Sequence, residues 1–201
     1  MELILIRHGL PIRRENRDGT PADPPLSEQG RRQASALASW LSIDRKIHRI
    51  YASPMRRAQE TALPLAEATG LEIETEPRVS EYDRDSDSYV PIEELKRIDY
   101  EAWRAFMKLG YPPGMDLTEF YRAVIAGLGE IIAENRGNRV AVFCHGGVIN
   151  AWASCVMEFD FKLFFNPMYT SVNRFYASTE GIRSIGSLNE TAHLREIESR
   201  T

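Results

Sequence analysis

Three short stretches of the 201-residue chain carry side chains suited to chemistry on an anion: Arg7-His8-Gly9, Ser53-Pro-Met-Arg-Arg57 and Cys144-His145-Gly146-Gly147. An imidazole near neutral pH can act as nucleophile or proton carrier. A guanidinium stays charged and grips phosphate or carboxylate oxygens in pairs. The glycine after each histidine lets a ligand approach the backbone N–H groups. Taken singly, a histidine at a strand end is usually a satisfied polar residue, and Arg31, Arg32 and Arg56 read as solvated helix faces. Taken together, His8, His145, Arg7 and Arg57 describe a site for a tetrahedral dianion.

These residues need a scaffold to hold them. Glu2–Arg7 is a short apolar run with little alternation, the pattern of a strand buried on both faces. Arg49–Ala52, Leu71–Thr75 and Val140–Phe143 supply further strands, and Arg78–Glu81 extends the sheet or leads off its end. Ala34, Leu37, Ala38 and Leu41 recur at helical spacing after a capping Ser27. Ser53-Pro54 reads as the N-cap and first residue of a helix that Gly70 ends. The segment at about 82–137 interrupts this alternation with an acidic loop, a helix from Pro91 to about Leu109, and a longer helix from a capping box at Asp116 and Glu119 to Gly137. His145-Gly-Gly147 then turns into a helix through Val156, and Ser171–Ala177 with Ile182–Leu188 form a closing hairpin. The expectation is an α/β fold of three layers, helix–sheet–helix, with a mainly parallel sheet. It would be one domain over 1–201 carrying a helical insertion at about 82–137. Ligands in such sheets bind beyond the carboxyl ends of the strands, where all three stretches fall.

Composition narrows the function classes. The net charge of −4 offers no electrostatic footprint for nucleic acid. No apolar stretch reaches the roughly 18 residues a membrane span needs. With the first strand starting at Glu2 there is no room for a secretory leader, and two cysteines, Cys144 and Cys155, make no disulfide scaffold. A cytoplasmic protein is expected, with no metal, no cofactor, no nucleic-acid or membrane partner, and a monomeric or homodimeric state. Six residues after Cys144 stands Asn150 where a thiol phosphatase would need arginine. Gly127-Leu-Gly129 lies inside a helical pattern and reads as packing rather than a dinucleotide fingerprint.

Leu5-Ile-Arg7-His8-Gly9, Leu26-Ser27-Glu-Gln-Gly30-Arg-Arg-Gln33-Ala34, Ser53-Pro-Met-Arg-Arg57-Ala58 and Val142-Phe-Cys-His145-Gly146 occur in one order along the chain. Together they resemble the motifs of the histidine phosphatase superfamily, also called phosphoglycerate mutase-like. That resemblance implies a phosphoglycerate mutase-like fold and metal-independent hydrolysis of small phosphate monoesters through a phosphohistidine on His8. Arg7, Arg57 and His145 would hold the phosphoryl oxygens. One branch places an aspartate acid directly after the second histidine; Gly146 stands there, which leaves the branch with a glutamate acid after the third strand. Glu81 fits that place as proton donor, with Asp83 its nearest rival.

The chain departs from the family where substrate is chosen. Leu10-Pro-Ile-Arg13-Arg14 follows the first motif, Tyr82–Ser88 replaces the usual glycine-containing stretch, and Arg97, Arg104 and Lys108 are scattered where mutases pair two arginines. Water is therefore the expected phosphoryl acceptor. The alternatives are cofactor-dependent phosphoglycerate mutase-type transfer and non-catalytic binding of phosphorylated ligands.

Overall fold

The apolar runs become neighbouring strands. The computed structural model describes residues 1–43, 46–109 and 116–195, without the side chains of residues 93, 106, 107 and 109. The chain runs β1 (Glu2–Arg7), β2 (Arg14–Glu15), α1 (Glu28–Ile43), β3 (Arg49–Ala52), α2 (Arg56–Thr69), β4 (Ile73–Thr75), β5 (Ser88–Tyr89), α3 (Ile92–Ile98), α4 (Tyr100–Leu109), α5 (Thr118–Glu134), β6 (Arg139–Cys144), α6 (Gly146–Val156), β7 (Val172–Ala177) and β8 (Arg183–Glu190). Six strands form one sheet in the order β4-β3-β6-β1-β7-β8. The first four in that order are parallel, and the expected hairpin, β7 and β8, adds an antiparallel edge. Residues 110–115 of the 82–137 segment lie outside the described residues.

Successive side chains of a strand point to opposite faces, so a central strand with a helix layer on each side must be apolar throughout. Leu3, Leu5, Val140 and Val142 pack with Val124 and Leu128 of α5 and Trp152 of α6. Ile4, Ile6, Ala141 and Phe143 pack with Leu37 and Leu41 of α1 and Leu65 of α2. Burying each large side chain contributes about 1.5–3 kcal/mol, and Leu3 through Ile6 are wholly buried. Helices on both faces of a mostly parallel sheet are the three layers read from the sequence.

Local chemistry shifts several element ends. The second helix begins at Arg56 behind Met55, not at Ser53-Pro54. Arg78–Glu81 does not extend the sheet: Pro77–Val79 is a 3₁₀ turn, with the Glu76 carboxylate accepting from Arg78 N–H. The helix read from Pro91 to Leu109 is broken at Asp99, whose backbone leaves the helical region so that its carboxylate can accept from Ala102 N–H. The capping box at Asp116 and Glu119 does not form. Asp116 accepts from Thr118 N–H instead, and α5 ends at Glu134, short of Gly137. Ser27 caps as read, its hydroxyl accepting from Gly30 N–H. The two-stranded ribbon of β2 and β5 had no signal in periodicity, because two residues are too few to show one; it ties the loop after β1 to the chain leading into α3.

Candidate active site

Register brings the two histidines together. In the β1–β6 pair Arg7 lies opposite Cys144, and in the β3–β6 pair Ala52 lies opposite Phe143. The strands are parallel, so His8, Ser53 and His145 all emerge at one rim, with β6, which carries His145, one strand spacing (about 4.8 Å) from each of the other two strands. The His8 and His145 rings stand 5.1 Å apart, centroid to centroid. Arg7, His8, Arg57 and Glu81 line a cavity of about 420 Å³ above that rim. His145 is fully buried against His8.

The turn after β1 is locked by close backbone approach. Gly9 N–H donates to Thr61 Oγ1, and that hydroxyl donates to the Arg57 carbonyl one helical turn earlier. A Cβ on Gly9 would stand 2.7 Å from the Gly30 carbonyl oxygen, so only glycine lets this turn sit on α1. Arg57 is carried inward on α2 and is 1% exposed. Its Nη2 donates to Asp83 Oδ1 at 3.2 Å, while Nε and Nη1 are buried with no partner among the described residues. A buried guanidinium with donors to spare is strongly disposed toward an oxyanion. Arg7 donates through Nη1 to Asn166 Oδ1 and the Pro167 carbonyl.

Protonation states follow from the hydrogen bonds. Burial, then the charges of Arg57 and Arg7, hold His8 well below its ordinary value, so its ring is neutral at pH 7. His8 Nδ1 lies 2.8 Å from the Gly9 carbonyl oxygen, which can only accept. The proton is therefore on Nδ1, and Nε2 keeps a free lone pair. His145 is held neutral by burial first, with Arg57 and His8 adding to it. Its Nε2 is 2.9 Å from Ser53 Oγ, which also accepts from Met55 N–H. The assignment that satisfies Ser53 has its hydroxyl donating to Nε2, leaving Nδ1–H of His145 as a donor.

Glu81 follows the 3₁₀ turn after β4. Its Oε2 accepts from Gly147 N–H at 2.9 Å, at the start of α6, and Oε1 from Tyr82 N–H at 3.2 Å. Desolvation, with the Asp83 charge next, outweighs these bonds and pushes its carboxyl up to about 7. Asp83, the rival acid, is occupied by Arg57. A Cβ on Gly147 would collide with Glu81 Oε1. Gly147→Ala, which removes no functional group, is therefore expected to lower kcat/KM by roughly 10–100-fold through displacement of that carboxyl. An unchanged steady-state rate on an alkyl phosphate would refute this.

The structure brings Arg7, His8, Arg57, Glu81 and His145 to one place. It adds residues that motif reading passed over. Tyr169 stacks its ring 4.1 Å from the Arg7 guanidinium, and Tyr89 lies 4.8 Å from that of Arg57. Ser53 is a partner of His145 rather than a helix cap. Tyr89, in the two-residue strand β5, and Tyr169, in the segment before β7, sit where no periodicity can be read, and nothing local distinguishes them from other aromatics. Cys144 is buried in β6, and desolvation pushes its thiol up, as an inert core residue requires. Among the described residues no three His, Cys, Asp or Glu are grouped to hold a metal ion, and no helix is long and apolar enough to cross a membrane.

Sheet order, rim and histidine pair define a class, and sequence comparison agrees with it: residues 3–191 match the histidine phosphatase superfamily (branch 1), and the chain belongs to that family of enzymes. It is 31% identical over 205 positions to phosphoserine phosphatase 1 of Hydrogenobacter thermophilus, covering 98% of this chain and 95% of that one. It is also 31% identical over 157 positions to phosphoglycerate mutase-like protein 4 of Arabidopsis thaliana, covering 75% and 68%. Its fold matches a mycobacterial glucosyl-3-phosphoglycerate phosphatase solved with VO3, at a TM-score of 0.76 and 21% identity over 94% of this chain and 99% of that one.

Proposed function

We propose that the protein is a metal-independent phosphatase that hydrolyses phosphate monoesters through a phosphohistidine on His8. The observation that carries this is the bond from Nδ1–H to the Gly9 carbonyl, which leaves the Nε2 lone pair of a neutral ring beside Arg7 and Arg57. Nε2 attacks phosphorus, the ester P–O bond breaks, and the departing oxygen takes the proton of Glu81. In the second half Glu81, now a carboxylate, removes a proton from water as the water oxygen attacks phosphorus and the P–N bond returns its electrons to Nε2. The unpartnered donors of Arg57 and the Nδ1–H of His145 suit the nonbridging oxygens, whose charge they would stabilise in the transition state.

Water as acceptor, rather than a retained phospho-acid, is supported by where the remaining arginines go. Arg13 pairs with Glu15 and Glu94, Arg97 with Glu94, and Arg104 with Glu101. Apart from Arg7 and Arg57, no lysine or arginine among the described residues lines the cavity to hold a second anion for transfer back. The purified protein should hydrolyse p-nitrophenyl phosphate at an undiminished rate in excess EDTA. Loss of activity that added divalent metal restores would overturn the reading.

A further inference from the structure

The half of the cavity beyond the phosphate cradle speaks to the alcohol of the substrate. Val90, Ile92 and Leu95, at and just before α3, line it together with Leu163, Phe164 and Phe165 from the loop after α6. That loop is held by one buried side chain. Asn150 Oδ1 accepts from the N–H groups of Phe164 (2.9 Å) and Phe165 (3.2 Å), while its Nδ2 donates to the carbonyls of Phe165 (3.0 Å) and Gly146 (2.8 Å). Asn150 thus fastens an apolar wall to the α6 turn that carries His145, with all its polar capacity used in doing so.

Charge points the same way. Among the described residues lining the cavity, Arg7 and Arg57 are the only lysines or arginines. Two guanidiniums match one phosphate dianion, and Asp83 already takes part of the Arg57 charge. A second anionic group on the alcohol would find no further cation among these lining residues and would face the Asp83 carboxylate. The polar groups left on the lining, such as Ser86 and Ser88, are neutral.

Building on the phosphatase reading, we infer that the substrates are phosphate monoesters of uncharged alcohols bearing an apolar chain or ring, not esters whose alcohol carries a carboxylate. Asn150 acts as a positioning residue for this preference.

The test compares kcat/KM for hexyl phosphate, ethyl phosphate, O-phosphoserine and 3-phosphoglycerate, with p-nitrophenyl phosphate as the activity control. Hexyl and ethyl alcohols have nearly equal acidity, so their ratio reports binding of the chain. A buried methylene is worth about fourfold, and a half-open wall should give hexyl over ethyl phosphate by about 10–100-fold. 3-Phosphoglycerate and phosphoserine should fall at or below ethyl phosphate. Asn150→Ala should narrow the hexyl-to-ethyl ratio severalfold; Leu163→Ser, which leaves the clamp in place, should do the same. If either phospho-acid equals or exceeds hexyl phosphate while p-nitrophenyl phosphate is turned over, the substrate class is wrong and the phosphatase reading stands. Calorimetry with hexylphosphonate and 3-phosphonopropionate separates the opposite case. Tighter hexylphosphonate binding with no ester hydrolysed supports the apolar class and sinks the chemistry. Equal or weaker hexylphosphonate binding overturns the class.

Discussion

His8→Ala is expected to lower kcat/KM by at least about 10⁴-fold on any monoester, the scale seen when a nucleophile acting in a concerted unit is removed. Nothing nearby can replace it. Cys144 is buried in β6 with its thiol pushed up, and His145 is turned to Ser53 through Nε2. The variant should still fold, since the ring contributes no core packing comparable to that of β1 itself, and it should still bind inorganic phosphate through Arg7 and Arg57. Acid-sensitive, alkali-stable label should appear on the wild-type protein when it is quenched during turnover of radiolabelled substrate, and be missing from the variant. Near-wild-type hydrolysis by His8→Ala would remove the phosphohistidine from the account.

Glu81→Gln should be the next largest loss, and its pattern is more informative than its size. With the carboxyl pushed up to about 7 by burial, it can hold its proton near neutrality. For alkyl phosphates, kcat/KM should fall about tenfold per unit above that pH, because only the protonated acid can discharge the leaving oxygen. The glutamine variant should be lower by roughly 10²–10⁴-fold and show no such alkaline limb. p-Nitrophenyl phosphate, whose leaving group needs little help, should lose much less in kcat/KM. It should also show a burst of about one equivalent per active site, since the second step has lost its base. A parallel loss on alkyl and aryl esters, with the alkaline limb intact, would assign the proton to another group.

The same carboxyl affects stability, and the sign can be worked out. Its folded value lies above the ordinary 4.5, so the folded state holds the proton more tightly than the unfolded chain. That contribution is complete below about 4.5 and is lost as pH rises through about 7. Glu81→Gln should therefore gain on wild type between pH 5 and pH 8, by about 1–3 kcal/mol in denaturant titrations. His8 and His145 work in the other direction: both are depressed below 6.5, so their contribution is present above that value and fades in acid.

How much of this was legible in residues alone differs from feature to feature. β1 and β6 were, because a strand covered on both faces must be apolar at every position, and that is visible in one dimension. The convergence of Arg7, His8 and His145 was, because strand ends and the glycines after the histidines marked their places. Arg57 came from the Ser-Pro-x-x-Arg-Ala block, and Glu81 was named only through the family resemblance; the structure brings both to the same cavity. Ser53 was misjudged: its hydroxyl meets His145, 92 residues away, instead of capping the helix beside it. The break at Asp99 was hidden because an aspartate can either continue a helix or cap the next one, and neighbouring residues do not decide which.

What only the tertiary structure decides depends on register and on loops meeting from distant parts of the chain. The alignment of Arg7 with Cys144 puts two imidazoles at one rim. The stacking of Tyr169 on Arg7 and Tyr89 on Arg57, and the hold of Asn150 on Phe164 and Phe165, join segments with no shared periodicity. Periodicity records which side of an element is buried, but the partner against which it is buried is set by packing of the whole chain. The motif residues at the rim were therefore written in the sequence, while the burial that raises the Glu81 carboxyl and the apolar wall held by Asn150 belong to the folded molecule.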